Sequence, residues 1–218
     1  MEFSIVDKLV AWWGLFKSGG PLMYPIFLCS VTALTIILER LWMLRKKNIF
    51  DEEALEKAYS FVKEGKYEDA LKILHSSNTS MARVAIEGIS KRHSPRGEIK
   101  EAMEDAGKRE GYQLGQFVSM LGGIAGLAPL LGFLGTVYGM IVSFNVIAQE
   151  GVGRAGEVAG GIAMALITTA AGLTVAVPSF IGYRYFVAKI DNILGAMEEN
   201  SLKLLDLLTK MEREGDAN

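Results

Sequence analysis

The groups that carry most enzyme chemistry are nearly missing from this chain. It has one cysteine and two histidines in 218 residues. Cys29 sits inside an apolar run, so a disulfide framework or a cysteine metal centre is excluded, apart from a bond between chains. His75 and His93 both lie in a charged middle region. No CxxC, HExxH, P-loop or GxSxG pattern occurs, which leaves no catalytic constellation. The chain therefore reads as a non-enzyme, with no cofactor, no metal and no nucleic-acid partner expected.

Charge is also missing, but only locally. Asp, Glu, Lys and Arg are absent from 121–148 and 158–182, while nearly all of them crowd into 39–118 and 183–218. The formal net charge of −2 hides this sorting. Soluble domains rarely segregate charge so completely; membrane proteins must, because a charge at mid-bilayer costs several kcal/mol.

What is present is apolar length. Half of the residues, 50%, are hydrophobic. A bilayer core takes about 20 helical residues to cross, and the stretches 21–41, 121–148 and 158–183 are each long enough. The first reads as an anchor rather than a cleaved leader, since it starts late and ends in Glu39-Arg40 and Arg45-Lys46-Lys47 instead of small residues. The expected fold is all-α, a three-span helical membrane protein whose long helices extend into a helical cytoplasmic region.

Basic residues set the expected orientation. Arg40, Arg45, Lys46 and Lys47 follow span one, Lys108 and Arg109 precede span two, and Arg184 and Lys189 follow span three. The link 149–157 has only Arg154. The positive-inside rule then puts the N-terminus outside, 42–120 in the cytoplasm, the 149–157 turn outside and the tail 184–218 in the cytoplasm. Glu39 and Arg40 are read as headgroup-level anchors, with pairing between subunits as the other use.

Outside the spans the pattern is helical. Residues 1–18 place Val6, Leu9, Val10, Trp13 and Phe16 on one face. That suits a helix lying at the outer headgroup level, or one packed against neighbouring spans. Between 48 and 118, helices are expected to break at Gly65, at 76–80 and at 93–97. "ALEKAYSFVKEGKYEDALKIL" resembles a tetratricopeptide-type hairpin, although one hairpin is not a repeat array. Beyond span three, Ile190, Leu194, Met197, Leu204, Leu208 and Met211 recur near a 3.5-residue spacing interrupted by Ser201, a seam that calls for helical partners in cis or across subunits.

Spans two and three share a stripe of small residues. Pro129, Gly132, Thr136, Gly139 or Met140, and Ser143 fall near one face of the first; Ala165, Thr169, Gly172, Ala176 and Ser179 fall near one face of the second. Small faces permit close helix–helix approach; they also suit a smooth pore wall. Thr136 and Thr169 both come about 17 Å below the outer surface at 1.5 Å per residue. Two hydroxyls at one depth on antiparallel helices can line a narrow polar path, although a lone threonine can satisfy itself on its own helix.

The segments 127–144 ("LAPLLGFLGTVYGMIVSF") and 160–183 ("GGIAMALITTAAGLTVAVPSFIGY") resemble the two signature spans of the ExbB/TolQ/MotA proton-channel family. Residues 19–42 ("GGPLMYPIFLCSVTALTIILERLW") extend the likeness to all three spans, and the N-out layout matches the ExbB/TolQ type rather than four-span MotA. The resemblance implies a bacterial inner-membrane energy transducer in which five copies surround two copies of a single-span ExbD/TolR-type partner. That partner's membrane aspartate would carry the proton, and a TonB- or TolA-type protein would receive the work. The family's channel threonines fall on Thr136 and Thr169, with Gly132, Ser143, Ala165, Gly172 and Ala176 as the small or polar pore face. Met164 stands where family members often carry a glutamate. Glu157, two turns toward the outside, is a candidate for proton entry or a solvated loop-end carboxylate.

The expected function is thus a channel subunit that turns proton motive force into motion of its partner, for TonB-dependent import or Tol-type envelope maintenance. The alternatives are a flagellar MotA-type stator subunit and a passive oligomeric scaffold.

Overall fold

The computed structural model describes Gly14, residues 16–151 and residues 154–215. Every regular element among them is a helix: α1 (Met23–Met43), α2 (Lys46–Ile49), α3 (Glu52–Lys63), α4 (Tyr67–Ser77), α5 (Ser80–Ser90), α6 (Arg96–Glu150) and α7 (Ala155–Gly215). Three of them, α1, α6 and α7, contain stretches long and apolar enough to cross a membrane. The protein is therefore an all-α, three-span chain. Only 22%, 28% and 22% of those stretches is buried within the chain, so the rest of their surface faces lipid or other polypeptides.

The helices contribute to two compact units, one from 1–38 and 119–184, the other from 39–118 and 185–218. The first holds the apolar parts of α1, α6 and α7. In α1, Ile26, Ala33 and Ile36 are buried, whereas Tyr24, Leu28, Leu34 and Leu38 stay exposed on other faces. Before α1 the chain turns at Gly20, whose φ of +71° is open to glycine at little steric cost. A β-carbon there would come within 2.8 Å of the Met164 sulfur, so the turn is seated on α7. Met164 is thus used for packing. Phe16 meets the rings of Tyr24 and Phe27 edge-on at 5.4 and 5.9 Å, which places it against α1. The other residues of the expected 1–18 amphipathic face, Val6, Leu9, Val10 and Trp13, lie outside the described residues.

Polar groups within the spans are satisfied locally. Thr32 and Thr35 donate to the carbonyls of Leu28 and Val31, Thr174 to Ala170, and Ser179 to Val175. Such back-bonding removes the cost of a free hydroxyl in lipid. Pro129 and Pro178 lie inside α6 and α7 and have no N–H to donate, which frees the carbonyls of Ala125 and Thr174.

The second unit is built from short helices against residues 96–118 of α6 and 185–215 of α7. Asp51 caps α3 by accepting from the Ala54 N–H at 3.1 Å, and Thr79 caps α5 through the Ala82 N–H. Gly65, at φ +74°, turns α3 into α4, and Asn78, at φ +47°, ends α4 in a left-handed cap. The α3–α4 hairpin buries Ala58, Val62, Ala70 and Leu74, and α5 packs on its second arm. On α7, Ile190, Met197, Leu204 and Leu208 are buried within this unit and Leu194 and Met211 half-buried, so most of the apolar seam of the tail finds partners in cis.

Arg40, expected at headgroup level, is held by the protein itself. It is 3% exposed, donates to the Leu114 carbonyl at 2.8 Å, forks onto Glu39 and stands 5.1 Å from the Phe117 ring. The α6 carbonyl and aromatic face supply inside the protein what water would supply at the surface. Arg83 makes a second such link, donating to Glu110 at 2.7 and 2.6 Å and to the Asn78 carbonyl. Burial alone would raise the Glu110 carboxyl; hydrogen bonds from Arg83 and Ser80, with the charges of Arg83 and Arg109, outweigh it and hold Glu110 below the ordinary carboxylate range.

Candidate functional site

In the first unit α6 and α7 meet antiparallel along small residues. Gly172 faces Ala128 and Gly132, Gly132 faces Thr169, Gly135 faces Thr168, and Gly139 faces Gly161 and Ala165. The approach is close enough for backbone to touch backbone. A β-carbon on Gly139 would lie 2.5 Å from the Gly161 carbonyl oxygen, and one on Gly172 would lie 2.6 Å from that of Ala128. Only glycine fits there, because any side chain would have to displace a helix backbone.

Hydroxyls fasten this contact. The Thr169 hydroxyl donates across it to the Gly132 carbonyl at 3.0 Å, and Ser143 lies 3.0 Å from the Val158 carbonyl and 3.1 Å from its own Gly139 carbonyl. Thr168, fully buried, sits against Gly135 and returns its proton to the Met164 or Ala165 carbonyl.

Of the expected pore-face residues, Gly132, Ser143, Ala165, Gly172 and Ala176 are all buried, and the contacts given for the first four are with the opposing span of the same chain. Their small size is used for close approach within one subunit. Thr136 is different. It neighbours Gly135, stays half-buried at the flank, and donates to the Phe133 carbonyl at 2.6 Å. Thr169 is also half-buried. The antiparallel register brings Thr136 and Thr169 to the same height within about one helical turn, ~5 Å. Glu157 is half-exposed at the start of α7 and pairs with Arg154 at 2.6 Å.

Thr168 and Gly135 escaped the sequence reading. The signal was present: Gly132, Gly135 and Gly139 recur at i, i+3 and i+7, a cleaner glycine stripe than one drawn through Thr136. Among the described residues no group of three or more His, Cys, Asp or Glu could hold a metal ion.

These features define a class: a multi-pass helical membrane protein in which two charge-free spans meet on glycine, with hydroxyls at mid-span. Comparison with known proteins narrows it. Residues 76–199 match the MotA/TolQ/ExbB proton channel family. An ExbB-like biopolymer transport protein of Synechocystis is 33% identical over 180 residues, covering 79% of this chain and 69% of that protein. The biopolymer transport protein exbB1 of Vibrio cholerae is 28% identical over 82% of this chain and 80% of its own length. The Tol-Pal system protein TolQ of Pseudomonas aeruginosa is 36% identical over 97 residues, 44% of this chain and 42% of that one. The chain belongs to the MotA/TolQ/ExbB proton channel family, within its ExbB/TolQ-type subgroup.

Proposed function

We propose that the chain is the channel-forming subunit of a proton-driven motor in a bacterial inner membrane. Several copies, five by resemblance to the family, would surround a single-span ExbD/TolR-type partner that contributes a membrane aspartate. Residues 121–148 and 158–182 contain no Asp, Glu, His, Lys or Arg, so a carboxylate proton carrier beside these two spans would come from another polypeptide. Thr136 and Thr169 offer that carrier polar neighbours, and this is the observation that supports the reading most: two half-buried hydroxyls at one height on spans without Asp, Glu, His, Lys or Arg. Glu157, balanced by Arg154, stands at the turn end of α7, where a proton would enter.

In this reading the N-terminus and the 149–157 turn face the periplasm, and 42–120 and 184–218 face the cytoplasm. Motion of the partner would be delivered to a TonB- or TolA-type protein, for import or envelope maintenance. The burial of the glycine stripe between the two spans of one chain favours a second reading, a passive scaffold whose small residues only pack. Purification in mild detergent with mass spectrometry separates them. A motor subunit brings down a single-span protein with a membrane Asp in fixed stoichiometry; recovery of homo-oligomers alone contradicts the motor.

A further inference from the structure

A separate concentration of chemistry lies where α1 ends. The helix stops at Met43, the chain bends through Leu44 and Arg45, and α2 begins at Lys46. Leu44 and Ile49 are 0% and 1% exposed, so both ends of this bend are pinned in a core. The Asn48 amide donates to the carbonyls of Trp42 and Met43 at 3.1 and 3.2 Å, occupying acceptors that the helix end would otherwise leave open. The result is a fixed shelf rather than a loose basic tail.

Trp42, Arg45, Lys46 and Lys47 are left on its outside, all exposed. Trp42 is 63% exposed at the end of an apolar span, where an indole settles at headgroup level. The neighbouring acids are engaged: Glu52 pairs with Lys46 at 2.6 Å, and Asp51 caps α3. Arg45 and Lys47 have no ion pair among the described residues, and Lys47 lines a concavity with Lys46, Phe50, Asp51 and Glu52, whose two acids are the ones engaged by the α3 cap and by Lys46. Two cations without an ion pair of their own, close in sequence to an exposed indole at the boundary of a span, match the phosphate and glycerol of a lipid headgroup in both charge and depth.

We infer that Trp42, Arg45 and Lys47 form a site for the phosphate of an anionic phospholipid, one per subunit. The inference rests on α1 spanning the membrane and is independent of proton conduction. The test is the full chain in nanodiscs of mixed phosphatidylglycerol and phosphatidylcholine, stripped stepwise with detergent while retained lipid is counted by native mass spectrometry. Wild type should retain phosphatidylglycerol selectively. Lys47→Gln should lower that selectivity roughly five-fold, and Arg45→Gln with Lys47→Gln by about the square of that factor. Lys63→Gln with Lys91→Gln, which removes two other exposed cations, should change nothing. Unchanged retention in the Arg45/Lys47 variants overturns the site. So does equal loss in the Lys63/Lys91 control, which would mean diffuse attraction, and so does displacement of the lipid by excess inorganic phosphate, which would mean a free-anion site.

Discussion

Thr169 on α7 donates its hydroxyl to the main-chain carbonyl of Gly132 on α6, 3.0 Å away. The bond crosses the glycine-lined contact between the two charge-free spans. It also fixes where the threonine oxygen points, because the proton is committed to α6 and the lone pairs are left for other donors. Thr169→Val should cost about 0.6 kcal/mol, the average for a hydrogen bond between membrane helices. Thr169→Ser should cost less, since the hydroxyl remains. Thermal melting in detergent reads the difference.

The glycine contact is the more sensitive feature. Gly139→Val and Gly172→Val force a side chain into a facing backbone carbonyl at 2.5 and 2.6 Å. Each should destabilise by about 1–3 kcal/mol and reduce the yield of assembled protein. Gly195 meets nothing within 4 Å of its missing β-carbon, on an exposed face of α7. Gly195→Ala should therefore stabilise by about 0.5–1 kcal/mol through helix propensity alone.

The Arg83–Glu110 pair should tie stability to pH. Glu110 is nearly buried and its folded value is depressed, so its contribution is fully present above the ordinary carboxylate value of 4.5 and is lost as pH falls through the depressed value. Glu110→Gln should flatten that acid limb of the melting curve. Arg83→Ala leaves a buried carboxylate with only Ser80 and the charge of Arg109 to support it and should cost more than Glu110→Gln, about 2–4 kcal/mol, reduced from the fully buried case because Arg83 is 41% exposed.

Tyr59 should give the alkaline counterpart. Burial pushes its hydroxyl up to about 12, and it donates to the Asn200 carbonyl at 3.2 Å. Its stabilisation is present below the unfolded value near 10 and is lost as pH rises through about 12. Ultraviolet titration should show a late-ionising component that is lost in Tyr59→Phe, a change that costs about 0.5–1.5 kcal/mol.

Much of this architecture was legible in residue order, for physical reasons that act along the chain. A bilayer demands uninterrupted apolar length, so α1, α6 and α7 announced themselves, and Gly65 and Asn78 turn the chain where a left-handed residue is needed. The helix faces were harder. A shift of one residue turns a helix by 100°, and the stripe drawn through Thr136 instead passes through Gly135, with Thr168 opposite. Long-range partners were out of reach: nothing near Arg40 in the chain signals Leu114 or Phe117, which α6 brings to it. Nor could residue order say that most of the seam of the tail is covered by its own chain.

The central claim is that Thr136 and Thr169 line a proton path completed by a partner's acid. It is tested most directly by proton flux through the purified complex in proteoliposomes under an imposed proton motive force, with assembly checked by size. The account predicts flux in wild type, retained flux in Thr169→Ser, and loss of flux in Thr136→Val with Thr169→Val while the complex stays assembled. Unchanged flux in that assembled double variant would contradict it.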